Sequence, residues 1–273
     1  MVEAMQFEFM RNAIMAAVLA NIGCGLIGVY IVLKRMLSLS GGIAHAAFGG
    51  IGLGYFLGVN PLLTVLPFSL ASAIGIGVVS RRSKLPEDTA IGIFWAIGMA
   101  VGLIFIGLTP GYAPDLLSYL FGNILMVTRS DLILLATLDV VIILVVSFLY
   151  KDFLSFAFDE EFARVSGVAV DILYYTLLCL VALSVVMLIK IVGMILVIAL
   201  MTLPVAIVKQ HTYSLKRMIW SSILLGIILT ITGLYLAYRI NLATGATIIL
   251  TLGIGFVLSS IAKVIYQRVL KAQ

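Results

Sequence analysis

The chain has 273 residues, of which 63% are hydrophobic and 11% charged, and its mean hydropathy is +1.24. Soluble domains carry about a quarter of their residues as charges and about half as apolar side chains. This composition excludes a soluble enzyme and predicts a single all-α polytopic membrane domain over residues 1–273. The long continuous apolar runs also exclude a transmembrane barrel, whose strands alternate apolar and polar side chains.

Apolar runs long enough to cross a bilayer predict about nine transmembrane helices. Eight is the alternative, because only Lys190 and Gly193 mark a turn between the sixth and seventh runs. The first run is expected to be a retained span, since no small-residue cleavage site follows it. The predicted spans are 12–33, 40–58, 62–80, 90–108, 131–150, 170–189, 191–208, 219–238 and 244–266.

The net charge of +5 comes from basic residues clustered between the apolar runs. Such clusters set the orientation of a membrane protein, so the charge does not indicate nucleic-acid binding. With Arg81 placed in the cytoplasm, thirteen of the 17 basic residues lie inside, and the C-terminus is cytoplasmic. The four basic residues outside are Arg11, Arg129, Lys190 and Arg239.

The outer connection at residues 109–130 contains Pro110, Gly111 and Pro114, which stop a continued helix. The apolar run from Leu116 to Val127 is too short to cross the hydrocarbon. It predicts a short helix at the outer face.

The inner connection at residues 151–169 has the start and stop signals of a helix of about two turns, at about 159–167. Acidic residues suit the first turn, a basic residue suits the last turn, and glycine suits the position after the end. In chain order the signals are Asp159 as N-cap, Glu160 and Glu161 in the first turn, Arg164 in the last turn and Gly167 at C′.

One side of this short helix is apolar, because Phe158, Phe162 and Val165 follow one another at helical spacing. An isolated helix of this length is marginal in water. Packing must therefore stabilise it, either against its own membrane domain or in the groove of a partner as well.

Polar residues inside the predicted spans are few, and ionisable groups in a membrane are functional candidates by default. His45 and Asp139 are the two candidates for a transient metal site. Imidazole and carboxylate are both metal ligands, although a lone histidine on an apolar helix also fits a structural role. Asp139 fits either a pathway carboxylate or a partner for Lys190 or a backbone group.

Glycines concentrate around His45, with seven between residues 41 and 58. Gly41 and Gly49 lie four residues before and after the histidine, so its imidazole is expected on a face without neighbouring side chains. Close helix packing is the other function expected of these glycines. The candidates for packing or for the pathway are Gly41, Gly42, Gly49, Gly50 and Gly54.

Catalytic motifs are absent from the sequence, so the chain is not expected to be an enzyme. There is no phosphate-binding loop, no His-Glu-x-x-His zinc motif and no Gly-x-Ser-x-Gly. Cys24 and Cys179 both lie in apolar runs, which argues against a disulfide or a cysteine metal site.

Five stretches, in this order, resemble the permease subunits of zinc/manganese-type ABC importers. Together they extend over essentially the whole chain. The stretches are 32–47 with its Ala44-His45-Ala46-Ala47, 87–93, 117–125, Phe158-Asp159-Glu160-Glu161-Phe162-Ala163-Arg164, and 192–206.

The resemblance implies a fold related to the cobalamin and siderophore importer permeases. It also implies a homodimer in the prokaryotic plasma membrane, with cytoplasmic ATP-binding subunits and an extracytoplasmic metal-binding protein. The segment from Phe158 to Gly167 matches the family's coupling helix, which contacts the ATPase. The outer loops near Tyr112 to Tyr119 are where the ion is expected to arrive.

One departure from the family concerns the metal site. Many members have an Asp four residues before the signature histidine and a Pro four residues after it, and here these positions are Gly41 and Gly49. A second histidine from the dimer, or Asp139, is the expected replacement for the missing carboxylate.

The function that follows is import of a divalent transition-metal ion, with zinc or manganese foremost and iron next, and with no stably bound cofactor. The alternatives are a permease for a metal chelate or a cobalamin-like substrate, or an ATP-independent channel or secondary transporter. A secondary transporter should show an inverted repeat, which the sequence does not display.

Overall fold

The computed structural model describes residues 6–83, 85–110 and 122–271, with side chains up to Arg268. These residues form twelve α-helices and a 3-10 turn at Ile124–Met126, without a β-strand among them. The helices are α1 (Glu8–Leu33), α2 (Leu37–Ala46), α3 (Phe48–Phe56), α4 (Pro61–Ser83), α5 (Glu87–Leu108), α6 (Arg129–Phe148), α7 (Tyr150–Phe158), α8 (Glu160–Val165), α9 (Val170–Val192), α10 (Met194–Lys209), α11 (Leu215–Ile240) and α12 (Thr244–Lys271).

Seven of the described helices are long and apolar enough to cross a membrane, namely α1, α4, α5, α6, α9, α11 and α12. The predicted all-helical polytopic fold is therefore confirmed. The two remaining predicted spans correspond to the α2–α3 pair and to the shorter helix α10.

The predicted span 40–58 is not one regular helix, because α2 and α3 are separated at Ala47. Hydrogen bonds still continue across this residue, with the Ala47 N–H donating to Ile43 O at 2.8 Å and the Ile51 N–H donating to Ala47 O at 3.1 Å. The surrounding glycines have low helix propensity, which explains an irregular turn at this point.

A tight turn at Gly193 separates α9 from α10, as the sequence predicts. Gly193 has φ +80°, a conformation that glycine adopts without strain. The helix resumes at Met194 and continues for 16 residues, or about 24 Å at 1.5 Å per residue.

Helices α1 and α9 form the centre of the bundle. In their apolar windows 78% and 72% of the residues are buried, against 22% in α5 and 11% in α12. The outer helices therefore leave wide apolar faces uncovered within one chain, as expected for contact with lipid or a second copy.

Ion pairs between elements join residues that the charge pattern assigns to the same side of the membrane. At one end of the bundle Lys34 pairs with Glu160 at 2.6 Å. At the other end Arg129 pairs with Glu8 at 2.9 Å, and Lys190 pairs with Asp131 at 2.7 Å. The two ends of the bundle thus separate as the basic clusters predict.

Candidate functional site

His45 lies in α2 with its ring flat against the indole of Trp95 in α5. The ring centroids are 4.3 Å apart and the planes differ by 4°. The Nδ1 atom is buried and has no hydrogen-bond partner in the described part of the chain, although the residue as a whole is only half-buried. Stacking thus fixes the orientation of the imidazole, and its Nδ1 is not used in a hydrogen bond within the described chain.

The sequence contained no signal for Trp95 as the neighbour of His45. The two residues are separated by 50 positions and belong to different helices, so only the tertiary packing of α2 against α5 brings them together. Trp95 remains 41% exposed, which places the stacked pair at the surface of this chain.

The glycines beside His45 do not leave an open face, and this corrects the sequence expectation. A Cβ on Gly41 would lie 3.2 Å from the Cδ1 of Ile198 in α10. A Cβ on Gly49 would overlap the ring of Phe68 in α4. Side chains of neighbouring helices thus cover the positions where the sequence alone suggested free space.

The other candidate glycines lie at close contacts between helices, and so does Gly98, which is not among them. A Cβ on Gly98 of α5 would come within 2.5 Å of the Cα of Ala46 in α2, so these two backbones touch. Such approach requires a residue without a side chain. Gly50 lies similarly close to the backbone of Val65, and Gly54 to that of Pro61. A Cβ on Gly42 would instead overlap the side chain of Ile91. All five candidate glycines are buried within one chain and contact other helices of it.

Asp139 is enclosed in the bundle and is 5% exposed. Its Oδ2 atom has no hydrogen-bond partner among the described residues. Of the alternatives for Asp139, the pairing with Lys190 is wrong, because Lys190 donates to the Oδ1 of Asp131 at 2.7 Å. Around Asp139 lie residues of α1, α6 and α9, namely Ala20, Gly23, Leu135, Ile142, Ser184, Met187 and Leu188.

The two candidate metal ligands therefore have different surroundings within one chain. His45 packs on α5, whereas Asp139 faces α1 and α9. The described residues contain no group of three or more His, Cys, Asp or Glu side chains able to hold a metal ion. Cys24 is buried, Cys179 is half-buried, and both are free thiols.

The short helix α8 has the caps that the sequence predicts. The Oδ1 of Asp159 accepts a hydrogen bond from the Phe162 N–H at 2.9 Å. At the other end Gly167 has φ +84°, and the Val168 N–H donates to Ala163 O at 3.0 Å. This combination of bonds is a Schellman motif, which ends the helix sharply.

The apolar side predicted for this short helix faces away from the rest of the chain, but only Phe162 and Val165 belong to α8, because Phe158 is the last residue of α7. Phe158 is 53% exposed, Phe162 63% and Val165 88%. The opposite side faces inward, with Ala163 fully buried. Of the two kinds of packing considered for this helix, its own membrane domain therefore covers only the small inward side.

Glu160 attaches the inward side of α8 to the membrane helices. Its carboxylate accepts hydrogen bonds from Lys34 Nζ at 2.6 Å and from Arg81 Nη2 at 2.7 Å. Burial raises the pKa of this carboxyl, but the hydrogen bonds and charges of Lys34 and Arg81 outweigh burial and hold the pKa below its ordinary value. Glu160 is therefore ionised at neutral pH.

The proposed arrival region between Tyr112 and Tyr119 lies outside the described residues, as does most of the helix predicted from Leu116 to Val127. The described end of that helix is different from the expectation. Residues Ile124–Met126 form a single 3-10 turn, for which the side chain of Asn123 accepts a hydrogen bond from the Leu125 N–H at 3.2 Å.

Comparisons with known proteins agree over nearly the full length. The profile of the ABC 3 transport family matches residues 6–263. An uncharacterized membrane protein of Synechocystis sp. is 48% identical over 259 residues, which are 95% of this chain and 92% of that protein. A manganese transport system membrane protein of Listeria monocytogenes is 36% identical over 252 residues, 92% of this chain and 90% of that protein.

Among solved structures, PsaBC from Streptococcus pneumoniae in complex with Fab contains a similar chain. The TM-score is 0.84, and the two chains are 33% identical over 94% of this chain and 93% of that one.

Proposed function

The chain belongs to the ABC 3 transport family, and we propose that it is the permease subunit of an ABC importer for a divalent transition-metal ion. The observation that carries this proposal is the outward apolar face of α8 together with the adjoining Phe158, because apolar side chains exposed on a capped helix mark a surface for a partner protein. The prediction that the chain is a membrane subunit without catalytic activity of its own is confirmed by the family.

The partner at this face is a cytoplasmic ATPase subunit. Phe162 is the central anchor, with Phe158 and Val165 on either side of it. Docking there buries apolar surface that water covers in the free chain. The predicted coupling segment comprises Phe158–Arg164 and Gly167, at the same end of the bundle as Lys34 and Arg81. Its outward apolar side chains form the docking surface, whereas the side chain of Glu160 faces the membrane domain.

Two copies of the chain form the translocation path between them. Helices α5 and α12 are the least buried in one chain, which favours them as the surface that a second copy covers. Trp95 lies on α5 and is partly exposed, and His45 packs against it, so both side chains lie at this surface. Many family members have an Asp where this chain has Gly41. Two His45 side chains, one from each copy, would supply nitrogen ligands in place of that carboxylate.

The transported ion binds only transiently, since an ion that must leave cannot be held tightly. Manganese and zinc are the foremost substrates and iron is next, and a related chain from Listeria monocytogenes is named for manganese transport. Asp139, the other ligand that the sequence suggests, is enclosed by helices of its own chain, so His45 is the ligand favoured here. An extracytoplasmic binding protein delivers the ion, and the C-terminus lies in the cytoplasm of a prokaryotic cell.

The proposal is tested by assembling the chain with the ATPase subunit of the same organism's importer. We expect the two proteins to purify as one complex in detergent, with two copies of each. ATP hydrolysis by the complex should rise when the metal-loaded binding protein is added. The proposal would be contradicted if the permease purified without the ATPase. It would also be contradicted if the metal-loaded binding protein did not change the rate of ATP hydrolysis.

A further inference from the structure

Charged side chains hold α8 to the membrane domain. Of the six residues in this helix only Ala163 is buried, and Phe162 and Val165 face outward. The apolar contact between α8 and the bundle is therefore small. The ion pairs of Glu160 and Arg164 are what fix the orientation of the helix.

The carboxylate of Glu160 joins three elements at one point. One oxygen, Oε2, accepts from Lys34, which directly follows α1, at 2.6 Å. The other, Oε1, accepts from Arg81 in the last turn of α4 at 2.7 Å. A displacement of α8 therefore acts on the ends of α1 and α4 together.

Both cations are also held from a second side. Lys34 Nζ lies 4.1 Å from the ring centroid of Phe156, and the Arg81 guanidinium lies 4.3 Å from that of Tyr174. Arg81 Nη1 also pairs with Asp171 at 3.1 Å. These contacts restrict side-chain rotation, so that motion at Glu160 passes to the backbone of its partners.

Lys34 belongs to the tight turn that leads into α2. The Met36 N–H donates to Ile31 O at 2.9 Å, and Arg35 has φ +61°, a conformation that residues other than glycine rarely adopt. Helix α2 begins immediately afterwards and carries His45 in its last turn. The turn thus connects the ion pair of Lys34 with the helix that carries the stacked imidazole.

We propose that Glu160 is a positioning residue that transmits the movement of α8 through Lys34 to α2, and through Arg81 to α4. The inference rests on the proposed function, because the movement originates in the ATPase subunits docked on the outward face. Lys34 has no second carboxylate partner in the described chain, whereas Arg81 keeps Asp171. Loss of the Glu160 charge therefore releases the α1–α2 turn first.

The test uses the complete transporter in vesicles and measures metal taken up per ATP hydrolysed. We expect Glu160→Gln to leave assembly with the ATPase and basal hydrolysis intact. Uptake per ATP should fall about fivefold, within the range seen for residues that couple two sites. The matched control is Asp152→Asn, which removes the same charge from the neighbouring helix α7, where Asp152 has no ion-pair partner in the described structure.

A double-substitution cycle distinguishes transmission through Lys34 from a general loss of charge. If Glu160 acts through Lys34, Lys34→Met should lower uptake per ATP, and adding Lys34→Met to Glu160→Gln should cause no further loss. Additive losses would overturn the proposal. The proposal would also be overturned if Glu160→Gln took up as much metal per ATP as the wild type, or if that variant no longer bound the ATPase.

Hydrogen exchange in the purified permease tests the link without any transport. We expect faster exchange at residues 34–40 and 160–166 in Glu160→Gln than in Asp152→Asn. Equal exchange in the two variants would overturn the role of Glu160. If the wild-type complex showed no metal-dependent transport, the proposed function would be refuted. The exchange experiment would then still test whether Glu160 links α8 to the turn between α1 and α2.

Discussion

The imidazole of His45 lies parallel to the indole of Trp95 at a centroid distance of 4.3 Å, and its Nδ1 is buried without a hydrogen-bond partner in the described chain. A ring held in this way can change ligands without changing its orientation. Preorganisation of this kind lowers the entropic cost of binding a passing ion.

Replacing His45 by Ala should therefore reduce metal uptake while the protein still folds, because the residue is only half-buried. We expect uptake at low metal concentration to fall about tenfold, the change that about 1.4 kcal/mol of lost binding gives. The measurement is initial uptake in vesicles. His211→Ala is the control, since His211 is exposed and lies far from His45 in the sequence. Its Nε2 is 2.9 Å from Ser259 Oγ. Equal uptake in the two variants would remove His45 from the pathway.

Asp139→Asn should leave metal uptake close to that of the wild type. Asp139 is enclosed by helices of its own chain and does not pack on α5 beside His45. Asn has nearly the same volume, so the fold should persist. Uptake and melting temperature should be measured together, and a loss of uptake with unchanged stability would identify Asp139 as a pathway ligand.

Gly98→Ala should destabilise the protein by about 1–3 kcal/mol, the usual cost of overpacking. The added Cβ would lie 2.5 Å from the Cα of Ala46 and 2.6 Å from its carbonyl oxygen, and backbone atoms cannot move aside easily. Gly92→Ala and Gly107→Ala are matched controls in the same helix, because a Cβ at either position meets nothing within 4 Å. Thermal unfolding in detergent measures all three, and equal melting temperatures would contradict the contact.

Phe162→Asp should prevent stable assembly with the ATPase, because it places a charge in the middle of the apolar face of α8. Phe162 is 63% exposed, so the permease itself should fold normally. The measurement is co-purification of the ATPase. Phe162→Leu, which keeps an apolar side chain, should retain the complex, and a complex that survives Phe162→Asp would show that the ATPase docks elsewhere.

The attachment of α8 should depend on pH only in the acidic range. Because the pKa of Glu160 in the folded chain lies below its ordinary value of 4.5, its ion pairs contribute fully above that value. The contribution disappears as the pH falls through the lowered pKa and the carboxylate takes up a proton. Wild type should thus be more stable than Glu160→Gln at neutral pH, and the difference in melting temperature should vanish in strong acid. A difference that persists there would mean that charge is not what Glu160 provides.

Local patterns in the sequence predicted what local physics determines. Hydropathy gave the spans, and the caps at Asp159 and Gly167 are found where the residue types predict them. The basic clusters also predicted which residues share an end of the bundle. Each of these features depends on residues a few positions apart or on the average properties of a segment.

Contacts between distant segments could not be predicted in this way. Glu160 and Lys34 are 126 positions apart, and no periodicity links them. The face around His45 looked open because Gly41 and Gly49 have no side chains, yet Ile198 and Phe68 from other helices fill it. Glycine spacing indicates where helices approach, but the residue that fills the space depends on the tertiary packing.

The most direct test of the account is ATP-dependent uptake of Mn²⁺ and Zn²⁺ by vesicles that contain the permease, its ATPase and the metal-binding protein. We expect accumulation of at least one of these ions inside the vesicles only when ATP is present on the side of α8. A hydrolysis-deficient ATPase should abolish it. Accumulation that proceeds equally without ATP, or hydrolysis without uptake of any divalent transition metal, would contradict the account.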